Sequence, residues 1–197
     1  MPRRPLLLTV ALCALPLAAC NNSPEAGQPN TAPATSTTPT PTAPSTPTYT
    51  SEEQAAITAA KARYAVARAA AGAALAQPGK ATRAALEKAG NGGEWVNAIA
   101  DQIATEQENG WYQTGAAKIV STAVKSVNLT STQPEVRLTS CIDSTSLVTR
   151  YQSNGQPVPE GSSDGPRHKF QSRLVYAPDA GGKKMWFLVE EKVAGAC

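Results

Sequence analysis

Residues 21–50 read NNSPEAGQPNTAPATSTTPTPTAPSTPTYT, and nineteen of these thirty are Pro, Ser or Thr. The stretch has no apolar periodicity, so no burial is on offer to offset the entropy of ordering it. It predicts an extended spacer of polyproline II character, reaching up to ~90 Å at ~3.1 Å per residue. Its Thr-Pro composition also permits O-glycosylation. A fold must therefore come from the residues after it. Residues 51–197 suffice for one ordinary domain that buries ~68–70% of its unfolded surface.

The residues before the spacer read as an export signal. Met1-Pro2-Arg3-Arg4 is a short basic segment, and Pro5 to Ala19 is an apolar run broken by Pro16. The run falls short of the ~20 residues of a spanning helix and has the proportions of a signal peptide. Arg3-Arg4 also reads as a weak twin-arginine pair, and the general export route is the expectation. The run ends Leu17-Ala18-Ala19-Cys20, which resembles the lipobox of bacterial lipoproteins. That resemblance implies a diacylglyceryl group on Cys20 and cleavage before it, with an ordinary secretory signal as the alternative. Two or three acyl chains meet the two-signal requirement for stable anchoring. The expected organisation is a signal peptide over 1–19, lipidated Cys20 with its tether to residue 50, and one domain over 51–197. The expected location is the extracytoplasmic face of a cell membrane.

Charge and cysteines narrow the classes further. Removing residues 1–19 takes away Arg3 and Arg4 and lowers the formal charge from +3 to +1, which argues against a nucleic-acid partner. Of four cysteines, Cys13 leaves with the leader and Cys20 takes the lipid. Cys141 and Cys197 remain on the oxidising side of a membrane, and a disulfide between them is expected. No CxxC occurs and His168 is the lone histidine, so neither a metal nor a cofactor is expected. Asn128-Leu129-Thr130 matches a glycosylation sequon and reads as accidental in a bacterial lipoprotein.

The domain divides into a helical half and a strand half. Thr50 and Glu53 form a capping box for a helix over 51–76, in which thirteen of 26 residues are alanine. Ile57, Ala60, Tyr64, Ala67, Ala71 and Leu75 make one stripe along it. Shorter helices are expected over about 80–89 and 94–108, the latter stopped by Asn109-Gly110. Beyond Gly110 the period changes from 3.6 to 2. Strands are expected at 118–130, 135–143, 147–152, 167–177 and 184–193, with an Asn154-Gly155 turn after the third and a proline-rich loop over 157–166. Helices followed by strands mean α+β. The simplest packing is a single antiparallel meander, curved around the helices on one face so as to leave a pocket between the layers.

Helices first and a curved antiparallel sheet after them resemble nuclear transport factor 2-like proteins. The strand Val136-Arg137-Leu138-Thr139-Ser140-Cys141-Ile142-Asp143, the Asn-Gly hairpin, the Trp186 strand and terminal Gly195-Ala196-Cys197 are similar to a group of actinobacterial lipoproteins. The likeness covers about 55–197 and implies a cone-like fold with the two cysteines paired. The wider fold includes ketosteroid isomerases, dehydratases and polyketide cyclases, whose cavities hold an Asp or His base and a Tyr or Asp acid.

Pocket candidates here are Tyr64, Trp111, Tyr112, Asp143, Arg150, Tyr151 and Trp186, with His168 opening the fourth strand. Each also has a structural reading. Asp143 precedes Ser144-Thr145 and reads as a turn-former. His168 lies between Arg167 and Lys169 and reads as exposed. Tyr64 and Trp186 read as core in an aromatic-poor domain. No P-loop, GxSxG, HExxH or dinucleotide motif occurs, and no catalytic residue is assigned. The leading expectation is a lipid-anchored module that binds a small hydrophobic ligand or an envelope protein. The alternatives are an isomerase- or dehydratase-like enzyme using the pocket, and a structural or dimerising module of the envelope.

Overall fold

A computed structural model describes residues 48–159 and 167–197. The leader, Cys20, the tether up to residue 47 and most of the proline-rich loop lie outside the described residues.

Helix α1 (Ser51–Ala76) starts where the capping box places it. Thr50 Oγ1 accepts from the Glu53 amide at 3.2 Å, and Glu53 Oε2 accepts from the Thr50 amide at 2.9 Å. All six residues of its stripe are buried. A 3-10 turn at Pro78–Lys80 leads to α2 (Arg83–Lys88), capped by Thr82. This second helix is shorter than expected, because Pro78 opens a tighter turn and Thr82 starts the helix afresh. Helix α3 (Gly93–Asn109) ends at Gly110 in the left-handed conformation.

Six strands follow: β1 (Trp111–Thr114), β2 (Lys118–Asn128), β3 (Glu135–Asp143), β4 (Val148–Tyr151), β5 (Arg167–Pro178) and β6 (Lys184–Ala196). They form two antiparallel sheets rather than a single meander. The main sheet has the order β2-β3-β5-β6, and β1 pairs with β4 alone. The cause is the turn after β3. Asp143 Oδ1 accepts from the Thr145 amide at 3.0 Å and Ser144 O accepts from the Leu147 amide at 2.9 Å, so the chain leaves the main sheet there. The departing strand finds residues 111–114, where Trp111 and Tyr151 stand opposite with ring centroids 6.4 Å apart, edge to face. Asn154-Gly155 turns the chain back so that Pro157 bridges to Arg150.

The chain is α+β, and its main sheet is open, with β2 and β6 at the edges. The core has two parts. Ala60, Tyr64 and Ala67 of α1 pack on Val136, Leu138, Leu174, Trp186 and Leu188 of the sheet. Ala71 and Leu75 pack with Leu86, Val96, Ile99 and Ile103 between the helices. The alanines keep α1 close to both. The β6 edge is covered by the α2–α3 loop: the Gly92 amide donates to Leu188 O at 2.9 Å, and the Leu188 amide donates to Gly90 O at 2.8 Å. Gly90 has φ +96°, and a Cβ there would meet the Arg63 side chain at 2.3 Å. Cys141 and Cys197 are joined in a disulfide with their Cα atoms 5.9 Å apart, tying the end of β6 to β3 across β5.

Candidate functional site

Between α1 and the sheet lies a buried polar network. Alternation along β6 would point Trp186, Leu188 and Glu190 inward. A bulge at Val189 shifts the register, since Leu174 pairs with Leu188 while Arg173 pairs with Glu190. Glu191 then turns inward, and its side chain is fully buried. Its carboxylate accepts from Tyr64 Oη at 2.8 Å, from Ser172 Oγ at 2.9 Å and from the Arg68 guanidinium, with which it forms an ion pair. Arg68 rises from α1 between two rings, 5.8 Å from Trp95 and 5.1 Å from Phe170. Beside the network, Ser140 and Thr122 share a bond of 3.2 Å.

Burial first, then the negative charge of Glu191, push the Tyr64 phenol up to about 12. Tyr64 is therefore a protonated donor at neutral pH. Three donors take three of the roughly four acceptor sites of the Glu191 carboxylate, which is engaged by the protein's own groups. The arrangement joins layers. It is not an open acid–base pair, and Tyr64 lies packed against Val136, Leu138 and Leu174.

The other sequence candidates are dispersed. Trp186 is in the same core, its ring 5.3 Å from that of Tyr176. Trp111, Tyr112, Arg150 and Tyr151 sit on the β1–β4 sheet. Arg150 there is a clamp, donating to Thr114 Oγ1 at 3.1 Å and to Gly155 O at 2.8 Å. Asp143 holds the turn after β3 and pairs with Arg167 at 2.8 Å. The Thr145 hydroxyl and amide, then Arg167, lower its carboxyl to about 2. His168 stands opposite Ile142 on β3 and is half-buried. The candidates therefore fall into separate groups: Tyr64 and Trp186 in the core, Trp111, Tyr112, Arg150 and Tyr151 on the β1–β4 sheet, and Asp143 at the turn after β3. Sequence reasoning missed Arg68 and Glu191. Arg68 falls one position past the α1 stripe at Ala67, and the Glu190-Glu191-Lys192 run looks like a solvated strand.

Open space lies elsewhere. A groove of about 520 Å³ runs between α2 and the β5–β6 turn, walled by Ala84, Lys88, Asn91, Gly92, Pro178 and Phe187. A second hollow of about 360 Å³ shares Gly92, Pro178 and Phe187 with it and adds Val175 and Val189. Neither has Tyr64 or Glu191 in its wall. A Cβ at Gly92 would stand 3.4 Å from Phe187, in ordinary contact with the groove wall. On α3, Glu106 is buried; Gln113 Nε2 donates to its Oε1 at 3.3 Å, and Oε2 has no partner. Among the described residues there is no cluster of three potential metal ligands and no helix long and apolar enough to cross a membrane.

No family model matches the sequence, and no curated protein matches it. Among solved structures, the intermembrane space region of chloroplast protein ARC6 superposes with a TM-score of 0.47 at 12% identity, over 73% of this chain and 97% of that one. A likeness at that level carries no role over to this chain.

Proposed function

We propose that this chain is an extracytoplasmic lipoprotein, held to a membrane through Cys20, whose nuclear transport factor 2-like domain binds a small apolar ligand without transforming it. The tether and the lipobox-like Leu17-Ala18-Ala19-Cys20 support the anchor, and a long helix laid on an antiparallel sheet supports the fold assignment. One observation carries the binding role. The layer in which an enzyme of that fold would hold its acid and base is filled, and its ionisable groups are paired with one another. The groove over Phe187 is open and within the ~300–1,000 Å³ range of ligand sites. Its lining combines apolar Phe187, Pro178 and Ala84 with charged Glu87, Lys88 and Asp179, which suits an apolar body with a polar end.

Native mass spectrometry of the protein isolated from its host's membranes tests this. We expect a bound small molecule on the wild type and none on Ala84→Trp, which fills the groove from an exposed position. Wild type without a bound molecule, or equal occupancy of both proteins, would overturn the reading.

A further inference from the structure

The face of the main sheet turned away from α1 carries charge. Val136, Leu138 and Ser140 of β3 are buried on the helix side, so Arg137 and Thr139 point outward. Arg137 stands directly opposite Arg173 of β5, and Arg173 opposite Glu190 of β6. Like charges directly opposite on an antiparallel pair cost stability. Two carboxylates offset it in part. Arg137 lies 2.9 Å from Glu135, Arg173 lies 3.6 Å from Glu135 and 3.4 Å from Glu190, and Lys192 lies 2.6 Å from Glu190.

A fourth cation arrives by a separate device. Lys125 is the extra residue of the β2 bulge between Val124 and Ser126, and bulges re-aim side chains. Its Nζ reaches across β3 to donate to Gln171 Oε1 of β5 at 2.9 Å. Lys125, Arg137, Gln171, Arg173, Glu190 and Lys192 surround a depression of about 50 Å³, enough for one small oxyanion. Four cations on four adjacent strands face Glu135 and Glu190, with Glu94 of α3 also acting on Lys192, so cations outnumber carboxylates by one. At ~4.8 Å between strands the array is on the order of 15 Å wide, and it meets several headgroups of a bilayer at once.

We infer that this face docks on anionic phospholipid headgroups, with one headgroup phosphate in the depression. The inference extends the membrane-tethered reading, since the anchor would bring the face within reach of such a surface. Its test does not depend on the anchor. Each cation near an anionic membrane strengthens binding about fivefold, and the attraction falls with salt.

The experiment is co-sedimentation of residues 21–197, the chain without leader or lipidated cysteine, with vesicles of phosphatidylglycerol and phosphatidylcholine or of phosphatidylcholine alone. We expect binding to the anionic vesicles only, weakened by salt. Arg137→Gln/Arg173→Gln should reduce it about thirtyfold, while far-UV circular dichroism reports the same fold. Lys125→Gln/Lys192→Gln is the second test pair and should lose a similar factor. Lys61→Gln/Lys80→Gln removes the same charge from the helical side and should change binding little. Equal loss in all three pairs would overturn the inference in favour of net charge alone. No binding to anionic vesicles would also overturn it. So would capture of a polyglutamate peptide with the same variant dependence but without vesicle binding, which would assign the face to an acidic protein. If instead the wild-type chain fails to stay on host membranes while residues 21–197 bind vesicles, the anchor is wrong and the face stands.

Discussion

Tyr64 holds its proton well above the range of an ordinary phenol because ionising it would place a second negative charge, without water, beside Glu191. The consequence for stability has a definite sign. The folded value of about 12 exceeds the unfolded value of 10.0, so the contribution is intact below pH 10 and lost as pH rises toward 12. The loss amounts to about 2–3 kcal/mol. Tyr64→Phe should cost about 1.5–3 kcal/mol at neutral pH, because it removes a hydrogen bond to a buried carboxylate. It should also flatten the decline between pH 10 and 12. Urea unfolding across that range measures both, and a variant with the wild-type slope would contradict the role given to Tyr64. The same residue shows what sequence can and cannot disclose. Its place on the α1 stripe marks it as buried, and the stripe is legible because helical spacing is a local property. Its partner Glu191 is 127 positions away and faces inward only because of a one-residue bulge, which no local pattern announces.

At the level of elements, legibility follows the length of the pattern. The 26 residues of α1 declare themselves through the Thr50–Glu53 cap and the alanine stripe. Strand β3 alternates cleanly, with Val136, Leu138, Ser140 and Ile142 all buried. Strands β1 and β4 have four residues each, all half-buried, so neither offers an alternation to read. Pairing between them depends on the turn at Asp143–Thr145 and on the Trp111–Tyr151 contact, which are tertiary facts. The disulfide is the strongest link between elements distant in sequence. It closes a separation of 56 residues and holds the exposed end of β6 against β3. Cys197→Ser should lower stability by about 2–4 kcal/mol, and Cys141→Ser/Cys197→Ser should lose no more than the single variant. Chemical unfolding with and without reductant checks this, since reduced wild type should match the variants.

For the whole molecule, the two faces of the main sheet divide the work. The helix side is sealed by the Tyr64–Glu191–Arg68 network and the alanine contacts, and the exposed side carries paired charges. The open groove lies apart from both, between α2 and the β5–β6 turn. On the proposed function, a closed helix–sheet layer beside an open groove suits a carrier. Cys20→Ala should move the protein from the membrane fraction to the soluble fraction at physiological salt, where a headgroup contact is weakened by screening. Full retention of that variant through a high-salt wash, with residues 1–19 cleaved off, would contradict the lipid anchor. The decisive experiment for the carrier role is a crystal structure of the protein purified from its own host. Additional density is expected against Phe187, Pro178 and Ala84, with the α1–sheet layer still closed by the Tyr64–Glu191 hydrogen bond. Density between Tyr64 and Glu191, with that bond broken, would contradict the carrier role and return the interior layer to that of a reactive pocket.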